Sequence, residues 1–193
     1  MKMDAQNYLD EYLKELKKSL DNSSRDNFGQ IAEALLDARE KGKHVFIFGN
    51  GGSASTASHM ACDLGKGCTV GGKKRFKPIC LSDNIPLMTA WGNDTAYEHI
   101  FSEQLENLVE EGDVVVGISG SGNSPNVLNA LKVARKRNAK TIGLTGFQGG
   151  KMKDLCDICL IVPSDNMQRI EDAHLVLEHA LSLYMRGVIE KEK

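Results

Sequence analysis

The sequence predicts an α/β fold: a three-layer αβα sandwich on an open, mainly parallel five-stranded sheet, preceded by an N-terminal helical hairpin. Three observations predict it. From residue 44 onward, short apolar runs alternate with segments of helical periodicity, as strands joined by crossover helices do. The first run, His44-Val-Phe-Ile-Phe48, is apolar with no polar face, which suits a strand buried on both sides. Two glycine–serine turns, Gly49-Asn-Gly-Gly-Ser-Ala-Ser55 and Ile118-Ser-Gly-Ser-Gly-Asn-Ser-Pro125, each stand between such a strand and a helix.

Taken in order, residues 4–20 place Tyr8, Leu9, Tyr12, Leu13, Leu16 and Leu20 at helical spacing. Asp21-Asn-Ser-Ser breaks that helix, and Ser24 is placed to cap the next one, 25–41, whose apolar face is Phe28, Ile31, Ala32, Leu35, Leu36 and Ala38. The hairpin (1–42) belongs to no strand–helix–strand unit, so it packs either on the sheet or on another subunit. The α/β core (43–193) completes a single domain, with strands expected at 44–48, 78–81, 113–118, 140–145 and 157–162. Helices are expected near 54–66, 86–92, 97–110, 124–137, 150–155 and 167–189. The glycine-rich basic stretch 65–77 reads either as a loop that helps hold an anion or as a solvated surface loop.

Composition narrows the function classes. The chain has 193 residues, 41% hydrophobic and 26% charged, enough for a proper core. Its formal net charge of −2 argues against a nucleic-acid groove or a membrane surface. No apolar run reaches the roughly 18 residues of a membrane span, and the first twenty residues are charged and amphipathic, unlike a signal peptide. The expected location is cytoplasmic. The five cysteines (62, 68, 80, 156 and 159) form no disulfide framework, and the lone Cys156-x-x-Cys159 lacks the second pair of a zinc ribbon.

The two turns carry the first chemical argument. Glycine lets the backbone turn sharply and present N–H groups, and the helix start adds partial positive charge, so each turn can seat an anion. Ser119, Ser121 and Ser124 add three hydroxyl donors, which points to a phosphorylated small ligand gripped from two sides. The first turn also fits a dinucleotide fingerprint through Gly49, Gly51 and Ala54, with Asp83 after the next strand. That reading leaves the second serine turn unexplained. Neither turn ends in the Gly-Lys-[Ser/Thr] of a nucleotide P-loop.

Titratable groups supply the second argument. His59 and Asp63 stand at i and i+4 on the helix after the first turn, able to share a metal or to work as acid and base. On the last helix Glu171 and His174 share a face, and His179 lies eight residues beyond Glu171, roughly 12 Å along an ideal axis. That span is long for two ligands of one ion.

Together, the GNGGS turn with His59 and Asp63, then Gly92-Asn-Asp94, then GISGSGNSPN, then a last helix bearing His179 resemble the phosphoheptose isomerase family, which carries the sugar isomerase (SIS) domain. The resemblance covers nearly the whole chain. It implies an aldose–ketose isomerase that converts sedoheptulose 7-phosphate to D-glycero-D-manno-heptose 7-phosphate for surface-polysaccharide synthesis, as a homotetramer with sites between subunits. Asn50, Gly51, Gly52, Ser53, Asn93 and Asp94 would contact the sugar phosphate, and Ser119, Gly120, Ser121 and Ser124 would cradle its phosphate. His59, Asp63, Glu171 and His179 fall on the family's zinc positions, implying one zinc per subunit, with Asp63 and Glu171 also facing substrate. Asp63 would act as base and His179 as acid on the route through an enediol.

Three positions depart from the family, one of them Gly67, which stands beside Lys66 where the family often places a basic residue after its first helix. The family usually carries glutamate where Asp63 stands and glutamine where Glu171 stands. The shorter carboxylate and the added charge leave two alternatives open: isomerisation of a different sugar phosphate, or a non-catalytic relative that binds a phosphosugar as a regulator or binds the replication initiator.

Overall fold

A computed structural model describes residues 4–192. Residues 1–3, at the start of the expected hairpin, and residue 193 lie outside the described residues. The chain runs α1 (Ala5–Asp21), α2 (Arg25–Lys41), β1 (His44–Gly49), α3 (Gly52–Cys62), β2 (Lys77–Cys80), α4 (Ile85–Asp94), α5 (Ser102–Leu108), β3 (Val114–Ser119), α6 (Pro125–Lys136), β4 (Lys140–Gly146), α7 (Met152–Leu155), β5 (Ile158–Val162) and α8 (Met167–Glu190). All five strands pair in parallel, in the order β2-β1-β3-β4-β5. The order reverses between β1 and β3, so the two glycine–serine turns leave adjacent strands at the switch point, where open α/β sheets bind ligands.

Alternation along the strands divides the core in two. Val45 and Ile47 of β1, with Val114, Val116 and Ile118 of β3, pack under α2, α3 and α8. Phe46 and Phe48, with Val115, pack on the other face under α5 and α6. Both faces are therefore covered, which is why these strands read as unbroken apolar runs.

The hairpin packs on the sheet through α2. Ser24 caps that helix by accepting from the Asn27 N–H at 3.1 Å, and left-handed Gly42 closes it. From α1 only an inner edge, Leu16 and Leu20, reaches the core, while Tyr8, Leu9 and Leu13 stay exposed.

Two helices differ from the sequence expectation. The segment 97–110 is a 3₁₀ turn, Tyr97–His99, followed by the shorter α5. Ile100 and Phe101 are both fully buried in one core, and an unbroken α-helix would point consecutive side chains about 100° apart. The segment 54–66 ends as an α-helix at Cys62 and continues as one turn of π-helix, Asp63–Gly67. Turns of that kind are frequent at functional sites.

Candidate active site

The second turn is a braced cup. β3 ends at Ser119, and Ser124 occupies the N-cap position of α6 in extended backbone geometry without making a capping bond. Its Oγ instead lies 2.9 Å from Ser119 Oγ. The rim is held from β4 and α7: Gly146 N–H donates to Gly120 O at 2.9 Å, and Met152 N–H donates to Gly122 O at 3.1 Å. Asn50, Ser53, Ser119, Gly120, Ser121, Ser124 and Glu171 line a cavity of about 170 Å³ there.

The first turn is locked to the second by two amides. Asn50 Nδ2 donates to Asn126 Oδ1 at 3.0 Å, and Asn126 Nδ2 returns a bond to Asn50 Oδ1 at 2.8 Å. Tyr97 adds its hydroxyl to Asn50 Oδ1 at 3.0 Å. Neither Asn126 nor Tyr97 stood out in the sequence. Asn126 lies inside the serine motif, and that adjacency was its one signal. Gly51, at φ 55° and ψ −122°, turns the chain into α3 in a conformation that disfavours other residues. At Gly52 a side chain would collide with the Glu171 carboxylate, which lies over the start of α3. No side chain caps that start.

A turn and more further along α3, a second group of side chains converges. His59, Asp63, Glu178 and His179 each bring one ligand atom within 4.8 Å of the others. His59 Nε2 and His179 Nε2 face each other at 2.8 Å. His59 Nε2 lies 3.8 Å from Asp63 Oδ2 and 4.0 Å from Glu178 Oε2, which is 3.9 Å from His179 Nε2. Asp63 also accepts from Ser182 Oγ at 3.2 Å. Glu178 is different: its side chain is 1% exposed and neither oxygen has a hydrogen-bond partner. Burial, with the Asp63 charge adding to it, pushes the Glu178 carboxyl up to about 7.

The cluster differs by one residue from the expected ligand set. Glu171 is absent from the cluster, and Glu178 stands in it. Seven residues of α8 advance about 10.5 Å along one face, and in this structure the Glu171 carboxylate leans over Gly52 instead of towards the histidines. Glu171 goes to the phosphate cup and Glu178 to the histidines. Asn93 and Asp94 are brought to neither place: they sit at the exposed end of α4, where Asn93 Nδ2 donates to Asp94 Oδ1 at 2.8 Å. His174 lies between the two groups, buried, with Nε2 at 3.1 Å from Thr145 O and Nδ1 unpartnered. Its burial pushes the imidazole down to about 4, so it is neutral and structural. Burial likewise raises the Cys156 and Cys159 thiols to about 12 and about 11, which makes them poor nucleophiles.

The cup can hold a phosphate through hydroxyls and backbone N–H groups, and the cluster can hold a cation or move a proton. Known proteins resemble this chain in sequence and fold. Residues 7–146 match the SIS domain family. The phosphoheptose isomerase of Aliarcobacter butzleri is 45% identical over 152 residues, covering 79% of this chain and 80% of that one. The structure of the Neisseria gonorrhoeae phosphoheptose isomerase superposes with a TM-score of 0.85 at 33% identity, over 94% of this chain and 96% of that chain. A phosphoheptose isomerase from Francisella tularensis gives 0.87 at 29% identity, over 96% and 100%.

Proposed function

This chain belongs to the phosphoheptose isomerase family of SIS-domain proteins, and we propose that it interconverts sedoheptulose 7-phosphate and D-glycero-D-manno-heptose 7-phosphate for heptose synthesis. The observation that carries the reading is one geometry: a serine cup for phosphate and a His–Asp–His cluster for proton transfer, both facing α8. Ser119, Ser121 and Ser124, with the N–H groups that begin α6, would hold the phosphate. Asn50, Gly51, Gly52 and Ser53 would take the sugar side, and Asn93 and Asp94 would have to reach it by a movement of α4 or from another subunit.

Moving a proton between C1 and C2 needs a base beside those carbons and an acid for the oxygen that gains charge. Asp63 is the base in this reading and His179 the acid, with roles exchanged in reverse. The donors fit a zinc ion, two imidazoles and two carboxylates, and Glu178 offers buried oxygens that nothing else satisfies. Zinc held by His59, Asp63, Glu178 and His179 would polarise the sugar carbonyl. A carboxylate seated on a cation is a weaker base, so Asp63 keeps its role only where Glu178 bears the ion's charge.

Exposed apolar side chains on α1 (Tyr8, Leu9, Leu13) and on α8 (Leu183, Tyr184) support the homotetramer reading, because one chain leaves them uncovered. No described helix is long and apolar enough to cross a membrane. Five free thiols suit the cytoplasm. The Glu171 carboxylate in the cup favours one second reading, isomerisation of a different sugar phosphate.

Proton NMR of the purified protein with sedoheptulose 7-phosphate in D₂O, with and without zinc, tests both. Aldose formation with deuterium entering the sugar supports the isomerase. Tight binding of that sugar without turnover moves the activity to another phosphosugar or to regulation.

A further inference from the structure

We propose that Asn126 is a positioning residue for the sugar side of the site: together with Tyr97 it holds the Asn50 side chain in one orientation, as a hydrogen-bond donor to an oxygen of the bound sugar phosphate. This role rests on the phosphosugar reading above and adds to it the two residues that set one of its contacts.

The orientation is fixed by a group that cannot be turned round. The Val127 backbone N–H donates to Asn126 Oδ1 at 2.9 Å, and a backbone N–H can only donate. Asn126 therefore presents its amide nitrogen to Asn50 Oδ1, at 2.8 Å. Asn50 must then turn Nδ2 towards Asn126 Oδ1, which it meets at 3.0 Å. Reversing one amide would set oxygen against oxygen and nitrogen against nitrogen, and reversing both would strand the Val127 N–H. Asn126 is 2% exposed, so water does not replace the bonds that a reversal breaks.

Tyr97 closes the remaining acceptor. Its hydroxyl donates to Asn50 Oδ1 at 3.0 Å, so that oxygen takes a donor on each lone pair. Asn50 Nδ2 carries a second hydrogen beyond the one given to Asn126. A single N–H is thus what the Asn50 side chain can still offer to the cavity it lines with Ser119, Gly120 and Ser124. A ligand oxygen can accept it. A group that only donates, such as an ammonium, finds no acceptor on Asn50.

Calorimetric binding of sedoheptulose 7-phosphate to the full chain reads this contact, with turnover measured separately. Asn50→Ala should weaken binding at least about tenfold, Asn126→Ala about fivefold and Tyr97→Phe about threefold. The double variant separates positioning from a general structural role. If Asn126 acts through Asn50, Asn50→Ala/Asn126→Ala should bind the sugar within about twofold of Asn50→Ala alone. Inorganic phosphate, which needs only the serine cup, should bind every variant within about twofold of the wild type. Asn126→Leu, which keeps most of the volume, repeats the series if the alanine disturbs folding. Multiplied losses in the double variant, wild-type affinity in both Asn126 variants, or no binding of the sugar by the wild type would each overturn the proposal. An equal loss for inorganic phosphate would overturn it too, because Asn126 would then serve the shape of the cup. Binding in the expected pattern without turnover would sink the isomerase reading and leave this one standing, and turnover with multiplied losses would do the reverse.

Discussion

The two polar centres along α8 are built on opposite principles. In the serine cup nearly every group has a partner within the chain: Ser119 with Ser124, Asn50 with Asn126, Gly120 O with Gly146 N–H. In the histidine cluster a fully buried carboxylate has none. The cup is finished before a ligand arrives, whereas the cluster stores unmet electrostatic demand. Preformed donors suit binding of a constant group such as phosphate, and unmet demand suits a centre that takes up an ion or moves a proton.

The largest effects should therefore fall on the cluster. Asp63→Asn and His179→Ala are each expected to lower turnover by about 10²–10⁴-fold while leaving the affinity for the sugar phosphate close to the wild type. Steady-state kinetics with sedoheptulose 7-phosphate reads this. Near wild-type turnover in both variants would remove the acid–base roles and break the contrast.

His174, between the two centres, gives a sharper measurement of what burial on this stripe costs. Its folded imidazole titrates at about 4 against 6.5 for the ordinary group, so as pH falls the unfolded chain takes up the proton first. Stability that is present above about pH 6.5 should be lost progressively down to about pH 4, by about 3 kcal/mol in all. Glu178 works in the other direction, because its raised carboxyl binds a proton in the folded chain first as pH falls through about 7. The difference in stability between wild type and His174→Gln, measured by urea unfolding from pH 7 to pH 4, cancels the Glu178 contribution. A flat difference would mean that His174 is not held neutral.

The sequence was legible where local pattern and tertiary environment agree. β1 and β3 are covered on both faces, so their apolar runs announced them, and both turns needed glycine and serine for reasons a single strand–helix junction contains. The serine cup was legible for the same reason. Glu178 was not. In Leu-Val-Leu-Glu-His-Ala-Leu it looks like an ordinary surface charge beside His179, and only the packing of α3 against α8 buries it. Glu171 was drawn to the metal set by its family position, and in this structure its carboxylate lies over Gly52. The π-turn at Asp63–Gly67 left no sign beyond two glycines, and the Asn50–Asn126 pair joins residues 76 apart in sequence.

The smallest expected effect is on the cup itself, and it separates folding from binding. Ser124 does not cap α6, and the side-chain partner of its hydroxyl is Ser119. Removing both hydroxyls together leaves no stranded donor, so Ser119→Ala/Ser124→Ala should stay within about 1 kcal/mol of wild-type stability by denaturant unfolding. Bound phosphate would still lose two charge-assisted hydrogen bonds. The KM for the sugar phosphate should rise by at least about tenfold, with kcat changed far less, since these bonds form in the ground state and the transition state alike. A loss confined to kcat would place the serines at the reacting carbons and exchange the roles of the two centres. A loss of stability without a change in KM would mean that the mutual hydroxyl bond is there for the fold, and that the phosphate lies somewhere other than the N-terminus of α6.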